Sequence, residues 1–206
     1  MNILEISEAA LMHAMRILQT GGIVAHATET CYGFACDLSN PIAVEKLFAL
    51  KKRPVTQPVS ALFASIENAK RYVEWNEEAE RLAKEHLPGP LTLILPLQKN
   101  APPIFPVAVF RSPKSEVRSL NLALRLSSYP VAQELVARFG SPLSTTSANL
   151  HGQPSPYSVV EIVQQFEEEE LQPDLILDSG PLPIVPPSTI LDLTKPDIRT
   201  VRKGTL

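Results

Sequence analysis

The sequence predicts a mixed α/β, or α+β, protein in which helices pack on the faces of a β-sheet. Three observations carry that expectation. Apolar strand-like runs alternate with amphipathic helical segments along most of the chain. The late runs "DLILD", "STILDLT" and "IRTVR" follow one another with no helix long enough to cross over between them, which argues against a purely parallel sheet. Finally, 206 residues of which 44% are hydrophobic suffice for one domain, 1–206, with a well-buried core.

Ser7 predicts the cap of a helix over 8–19, where Leu11, Ala14, Met15 and Leu18 recur at helical spacing and Gly21-Gly22 ends the run. "GIVAHA" reads as a buried strand. Asn40-Pro41 opens a second helix, "IAVEKLFAL", which delivers Lys51, Lys52 and Arg53 at its end. "VSALFA" is a strand, Ser65 caps "IENAKRYV", Asn76 caps "EEAERLAKEHL", and "LTLILPL" is a further strand. Residues 98–120 form a Pro-rich, charged insertion. In the strand "NLALRL", alternation puts Asn121, Ala123 and Arg125 on one face and Leu122, Leu124 and Leu126 on the other. A helix "VAQELVARF" ends at Gly140, and a short polar run, "PLSTTSAN", follows. The helix near 158–169 closes on four glutamates that read as a solvated face. No internal repeat or linker interrupts this order.

The formal net charge of −3 confines any basic site to a local cluster and excludes a histone-like nucleic-acid binder. No stretch approaches the roughly 18 apolar residues of a membrane span, and the N-terminus carries no leader pattern, so a cytoplasmic location is expected. Cys31 and Cys36, with His13, His26, His86 and His151 scattered, do not make a metal site, and both thiols are expected to be reduced and structural. Twenty prolines against eight glycines indicate short, stiff connections.

Three polar segments stand where ligand sites of layered α/β proteins form, at the ends of strands and helices: "HATETCYG", "KKRP" and "STTSANLHGQPSP". Each also has a plain structural reading. Cations ending a helix gain about 0.3–1 kcal/mol from its dipole, so Lys51, Lys52 and Arg53 serve equally as an exposed cap or as an anion site. As an exposed cap, neither Lys51 nor Arg53 would be needed for folding. "TETCYG" reads as a strand-to-helix loop with Thr28 and Thr30 capping backbone groups. "STTSAN" reads as a turn, although four hydroxyls before an Asn exceed what a turn needs. There is no G-x-x-x-x-G-K-[ST] loop, no G-x-G-x-x-G and no G-x-S-x-G, so a nucleotide would have to be held by side-chain cations and hydroxyls, and no covalent nucleophile stands out.

Taken in order from about residue 8 to residue 204, "GGIVAHATETCYGFACD", "LFALKKRPVTQPVS", "LPGPLTLIL", "LALRLSSYP", "PLSTTSANLHGQPSP", "LILDSG" followed by "PSTILDLT", and "VRKG" resemble the YrdC/TsaC family of threonylcarbamoyl-AMP synthases. The resemblance implies a three-layer fold whose mixed, twisted sheet surrounds a concave basic cavity. It also implies ATP, L-threonine and bicarbonate as substrates, Mg²⁺ on the phosphates with no protein-ligated metal, and threonylcarbamoyl-AMP and pyrophosphate as products for N6-threonylcarbamoyladenosine modification of tRNA. By the same resemblance Lys51 and Arg53 are the catalytic cations at the phosphates, with Ser147, Asn149, Ser155 and Arg202 also at the nucleotide. Thr28, Thr30, Arg125, Thr145 and Ser188 fall at threonine, Arg125 pairing its carboxylate. Double-stranded RNA or tRNA, and downstream threonylcarbamoyl-transfer proteins, are the implied partners. Two departures stand out: Ala27 replaces a common Pro, and Leu62 falls on or near a common His. The chain stops four residues after Arg202, so the second domain of longer relatives is not expected. An RNA-binding module, a carbamoyl-transfer enzyme of the same fold and a paralogue with another acceptor are the competing readings.

Overall fold

The computed structural model describes residues 1–105, 109–111 and 120–206. Among them one mixed sheet gathers eleven strands: β1 (Asn2–Glu5), β2 (Val24–Ala27), β3 (Tyr32–Ala35), β4 (Ser60–Leu62), β5 (Leu91–Pro96), β6 (Val109–Arg111), β7 (Leu120–Arg125), β8 (Leu143–Ser147), β9 (Leu175–Asp178), β10 (Thr189–Asp192) and β11 (Arg199–Arg202). Six helices among the described residues cover it: α1 (Glu8–Gln19), α2 (Pro41–Leu50), α3 (Ile66–Lys70), α4 (Glu77–His86), α5 (Pro130–Phe139) and α6 (Val159–Phe166). The strand order is β1-β9-β2-β3-β8-β4-β7-β5-β10-β11, with β6 added beside β7. Parallel pairs (β1–β9, β2–β9, β4–β7, β5–β10) mix with antiparallel ones, as the missing crossovers required.

The helices start where local chemistry satisfies their free N–H groups. Ser7, Asn40, Ser65 and Asn76 each accept from a backbone N–H two or three residues on, and Ser158 forms a reciprocal capping box with Glu161. Helix α5 instead starts on Pro130 and ends on Gly140, whose φ of 79° lies in the left-handed region.

Two apolar cores make the three layers. On one face α2, α3, α4 and α6 bury Leu47, Phe48, Ala69, Leu82, Ile162 and Phe166 against Phe34, Leu93, Leu122 and Leu124. On the other, α1 and α5 bury Leu11, Leu18, Leu135 and Val136 against Val24, Leu62, Leu143 and Leu177. At roughly 25 cal/mol per Å² these apolar contacts are the main source of stability.

Several expectations need correction. "TETCYG" does not lead into a helix: it turns β2 back into β3, held by the Thr28 N–H donating to the Cys31 carbonyl at 3.0 Å. "PLSTTSAN" is largely strand β8, tied to β3 and β4. The N-terminal "NILE" is a strand as well, beside β9. Helix α3 stops at Lys70, because Val73 is taken into a bridge with Leu97. The four glutamates follow α6 rather than end it. Part of the 98–120 insertion is strand β6; residues 106–108 and 112–119 lie outside the described residues.

Candidate functional site

The three cations that end α2 have three different fates, decided by the backbone there. Lys51 caps the helix and Lys52 follows with φ of 50°, so that the Lys52 and Arg53 N–H groups donate back to Ala49 and Phe48 (both 3.0 Å). This is the reversal that usually employs glycine. It sends Lys51 inward, leaves Lys52 on the surface beside Glu169 at 2.7 Å, and aims Arg53 at a cavity.

That cavity holds about 430 Å³. Thr28, Thr30, Cys31 and Gly33 of the β2–β3 turn form one wall, Arg53 and the segment to Ser60 another. Thr92, Arg125 and Thr145–Ser147 come from β5, β7 and β8, while Ser155, Pro187, Ser188, Ile190, Val201 and Arg202 complete it. Three arginines and at least seven hydroxyl side chains line the space, and among the described residues no Asp or Glu does. Nine of the residues expected from the sequence therefore meet here: Thr28, Thr30, Arg53, Arg125, Thr145, Ser147, Ser155, Ser188 and Arg202.

Each guanidinium is held by fixed partners. Arg53 donates from Nε to the Gln57 carbonyl and from Nη2 to that of Pro58, both at 3.0 Å, so its own loop braces it. Arg202 reaches the Ser188 carbonyl at 3.0 Å and the Ser188 hydroxyl at 2.9 Å, and Thr92 Oγ1 lies 3.1 Å from that hydroxyl. Arg125, 8% exposed, donates from Nη2 to Glu29 Oε1 and Thr30 Oγ1, both at 2.8 Å. This is not the surface ion pair of the plain reading. Burial lowers the pKa of Arg53; burial and then the nearby Arg125 lower that of Arg202. Cations crowded in this way favour an anion between them.

Glu29 was not singled out by sequence. Burial alone would raise its carboxyl, yet Arg125 and the Ser127 hydroxyl together hold it below the usual range. Its place between two hydroxyls in "TET" was the available signal. Thr92, the one hydroxyl in the apolar "LTLILPL", was another. Cys31 also lines the cavity as a free thiol whose pKa burial raises, which disfavours the reactive thiolate. Leu62, which falls on or near the family's common His, is wholly buried in the core under α1 and α5.

Lys51 and Asn149 stand apart. Neither lines the cavity. Lys51 is 1% exposed, and its Nζ donates to the Ser147 carbonyl, to the Asn149 carbonyl at 2.7 Å and to Asn149 Oδ1 at 3.1 Å. Burial and then Arg53 press its pKa down to about 7, while three oxygen acceptors favour the charged form. Asn149 Oδ1 also accepts from the Ser147 hydroxyl at 2.6 Å, and its amide donates to the Gln153 carbonyl. The expectation of an exposed lysine dispensable for folding is thus overturned: its removal would strand buried acceptors, at about 1–3 kcal/mol each.

Among the described residues no three His, Cys, Asp or Glu side chains come together, and the cavity lining offers no carboxylate to a divalent cation. No helix is long and apolar enough to cross a membrane.

With this geometry in hand, comparison with known proteins is specific. The model of the Sua5–YciO–YrdC family, described as "Telomere recombination", matches residues 16–204. The threonylcarbamoyl-AMP synthase of Photobacterium profundum is 34% identical over 162 residues, 77% of this chain and 82% of that protein. That of Pyrococcus abyssi is 32% identical over 191 residues, and there the match spans only 52% of the longer relative. Among solved structures, P. abyssi Sua5 complexed with L-threonine superposes with a TM-score of 0.86 at 31% identity, over 100% of this chain and 58% of that one. Escherichia coli YciO follows with a TM-score of 0.81 at 27% identity and 97% of its length covered.

Proposed function

This chain belongs to the Sua5–YciO–YrdC family, and from that premise we propose that it is a threonylcarbamoyl-AMP synthase, condensing L-threonine, bicarbonate or CO₂, and ATP into threonylcarbamoyl-AMP with release of pyrophosphate. The observation that carries this reading is the cavity itself, with three arginines and a wall of hydroxyls.

The chemistry asked of such a site is the approach of two anions. The threonine amine first adds CO₂ and loses a proton to give a carbamate. One carbamate oxygen then attacks the α-phosphorus of ATP, the bond to the bridging oxygen breaks, and pyrophosphate leaves. Like charges repel along this path, so the protein's contribution is preorganised positive charge and proximity. Arg53 and Arg202, each braced by carbonyls, face the phosphates; no reorganisation is needed when charge shifts. Arg125 takes the threonine carboxylate, for which a planar guanidinium is suited, and the hydroxyls of Thr28, Thr30, Thr145 and Ser188 orient the rest of the amino acid. Ser147 and Ser155 lie on the nucleotide side. Mg²⁺ enters as part of the Mg-ATP substrate, the described lining residues supplying it no carboxylate. Nothing here needs a covalent nucleophile. The product is an activated threonylcarbamoyl donor, which N6-threonylcarbamoylation of tRNA would consume.

An RNA-binding module is disfavoured by Arg125, which is 8% exposed and could not reach a duplex backbone. Incubation with Mg-ATP, L-threonine and bicarbonate tests the proposal: pyrophosphate and threonylcarbamoyl-AMP should appear only with all three. Pyrophosphate release that ignores threonine would reject it.

A further inference from the structure

Lys51 looks like a phosphate ligand by its place in the "KKRP" run, and the geometry points to another role. An ammonium has three donors. All three of Lys51 are taken by the carbonyls of Ser147 and Asn149 and by Asn149 Oδ1. The side chain is also shut off from the cavity, with its Nζ 5.5 Å from the centroid of the Phe34 ring. To meet a phosphate it would have to abandon three charge-assisted bonds and cross the wall formed by β8.

What it holds is that wall. Ser147 ends β8, and the chain then runs through Asn149 to Ser155, with Ser147 and Ser155 lining the cavity. Lys51 grips this segment twice: its Nζ takes the carbonyls of 147 and 149, and its own carbonyl accepts the His151 N–H at 2.8 Å. Asn149 joins the same knot, accepting from the Ser147 hydroxyl and donating to the Gln153 carbonyl. The grip also turns two carbonyl oxygens toward a buried cation.

Resting on the synthase reading above, we propose that Lys51 is a positioning residue that clamps the β8–α6 connection and so sets the nucleotide wall of the cavity, while the phosphates are met by Arg53 and Arg202. Its cation compensates peptide carbonyls rather than substrate charge. An arginine cannot replace it, because three oxygens converge on one point that a planar fork does not match.

The test compares wild type, Lys51→Met, Lys51→Arg and Arg53→Gln, measuring pyrophosphate release and the salt dependence of ATP binding by calorimetry. A clamp predicts that Lys51→Met and Lys51→Arg both lower kcat by about a hundredfold, as misplacement of a site wall does, while the salt dependence of ATP binding stays as in wild type. Arg53→Gln should flatten that dependence, because it removes a charge that meets the phosphates. Near-normal turnover of Lys51→Arg, or a flattened salt dependence in Lys51→Met, would overturn the clamp and make Lys51 a phosphate ligand. If the Lys51 variants fail to fold, NMR of wild type labelled at lysine Cε decides: the Lys51 signal should be insensitive to added ATP, and a shift like that of a phosphate-bound lysine overturns the proposal. Wild type that binds ATP but makes no threonylcarbamoyl-AMP overturns the synthase reading alone, since binding and NMR still judge the clamp. Wild type that binds no ATP overturns both.

Discussion

At Arg125 the question is which donors remain for a substrate. Nη2 already serves Glu29 and Thr30, each at 2.8 Å, and Nε is buried without a hydrogen-bond partner. A two-pronged grip on the threonine carboxylate therefore engages Nη1 and asks one existing contact to share Nη2. Glu29, itself held by the Ser127 hydroxyl, fixes the guanidinium beside the cavity. Lysine can offer neither the fork nor the bridge to Glu29. Arg125→Lys is accordingly expected to raise the threonine KM nearly as far as Arg125→Ala, by more than about tenfold, with a much smaller change in the ATP requirement. Initial rates with each substrate varied in turn decide this, and an Arg125→Lys variant with unaltered threonine dependence would remove Arg125 from the threonine site.

Elements were legible from sequence where their signals are local. The caps at Ser7, Asn40, Ser65 and Asn76 lie within three residues of the groups they satisfy, and each marked a true helix start. Strands β3 and β8 were not legible, because four or five residues rich in Gly or hydroxyls carry no period and exist by pairing with one another across the chain. Thr145, Thr146 and Ser147 of β8 and Gly33 of β3 line a cavity rather than a core, so the pattern fails at the site itself. Most of the cavity residues could still be picked out, since hydroxyls and cations are conspicuous among apolar strands. The burial of Lys51 could not be, because nothing in "KKRP" distinguishes three adjacent cations until Lys52 turns left-handed. That turn is open to test. Lys52 has φ of 50°, and its side chain is 63% exposed with only a surface ion pair to lose. Lys52→Gly should keep full activity and change stability by no more than about 1 kcal/mol in either direction, as relief of the left-handed backbone offsets glycine's unfolded-state entropy. Thermal melting checks it, and a large loss would mean that the Glu169 pair matters more than its exposure suggests. The opposite is expected at the C-terminal tail. A Cβ on Gly204 would stand 1.9 Å from the Pro187 carbonyl oxygen and 2.7 Å from the Ser188 carbonyl carbon. Gly204→Ala must push apart the tail and the strand that together hold Ser188 and Arg202, costing about 1–3 kcal/mol and weakening ATP binding. Unchanged melting and affinity would show that this tail does not shape the site.

Across the whole molecule, the two cores share one sheet, and His26 on β2 is buried within it. Val24 belongs to the core under α1 and α5 while Ala25 and Ala27 belong to the opposite core, so alternation puts His26 on the side of α1 and α5. It is fully buried, its Nδ1 lies 3.0 Å from the Ala27 carbonyl, and its Nε2 has no hydrogen-bond partner. Burial, reinforced by Arg125 and partly opposed by that carbonyl and by Glu29, lowers its pKa from 6.5 to about 4. The sign follows from proton uptake. Between pH 6.5 and about 4 the unfolded chain binds a proton at this residue that the folded protein refuses, so stability falls as pH falls through that window and is unaffected by His26 above it. Glu29 adds a loss only below the ordinary carboxylate range, because its folded pKa is depressed. Between pH 7.5 and 5 the histidine contributes about 2 kcal/mol, which for a chain of this size is about 4–8 °C in melting temperature; Lys51, pressed down to about 7, adds a smaller loss at the top of that window. His26→Leu loses one hydrogen bond and should melt lower than wild type at pH 7.5, yet its melting temperature should fall far less on going to pH 5. A variant whose pH dependence matches that of wild type would show that the acid sensitivity of this fold arises elsewhere than at the buried imidazole.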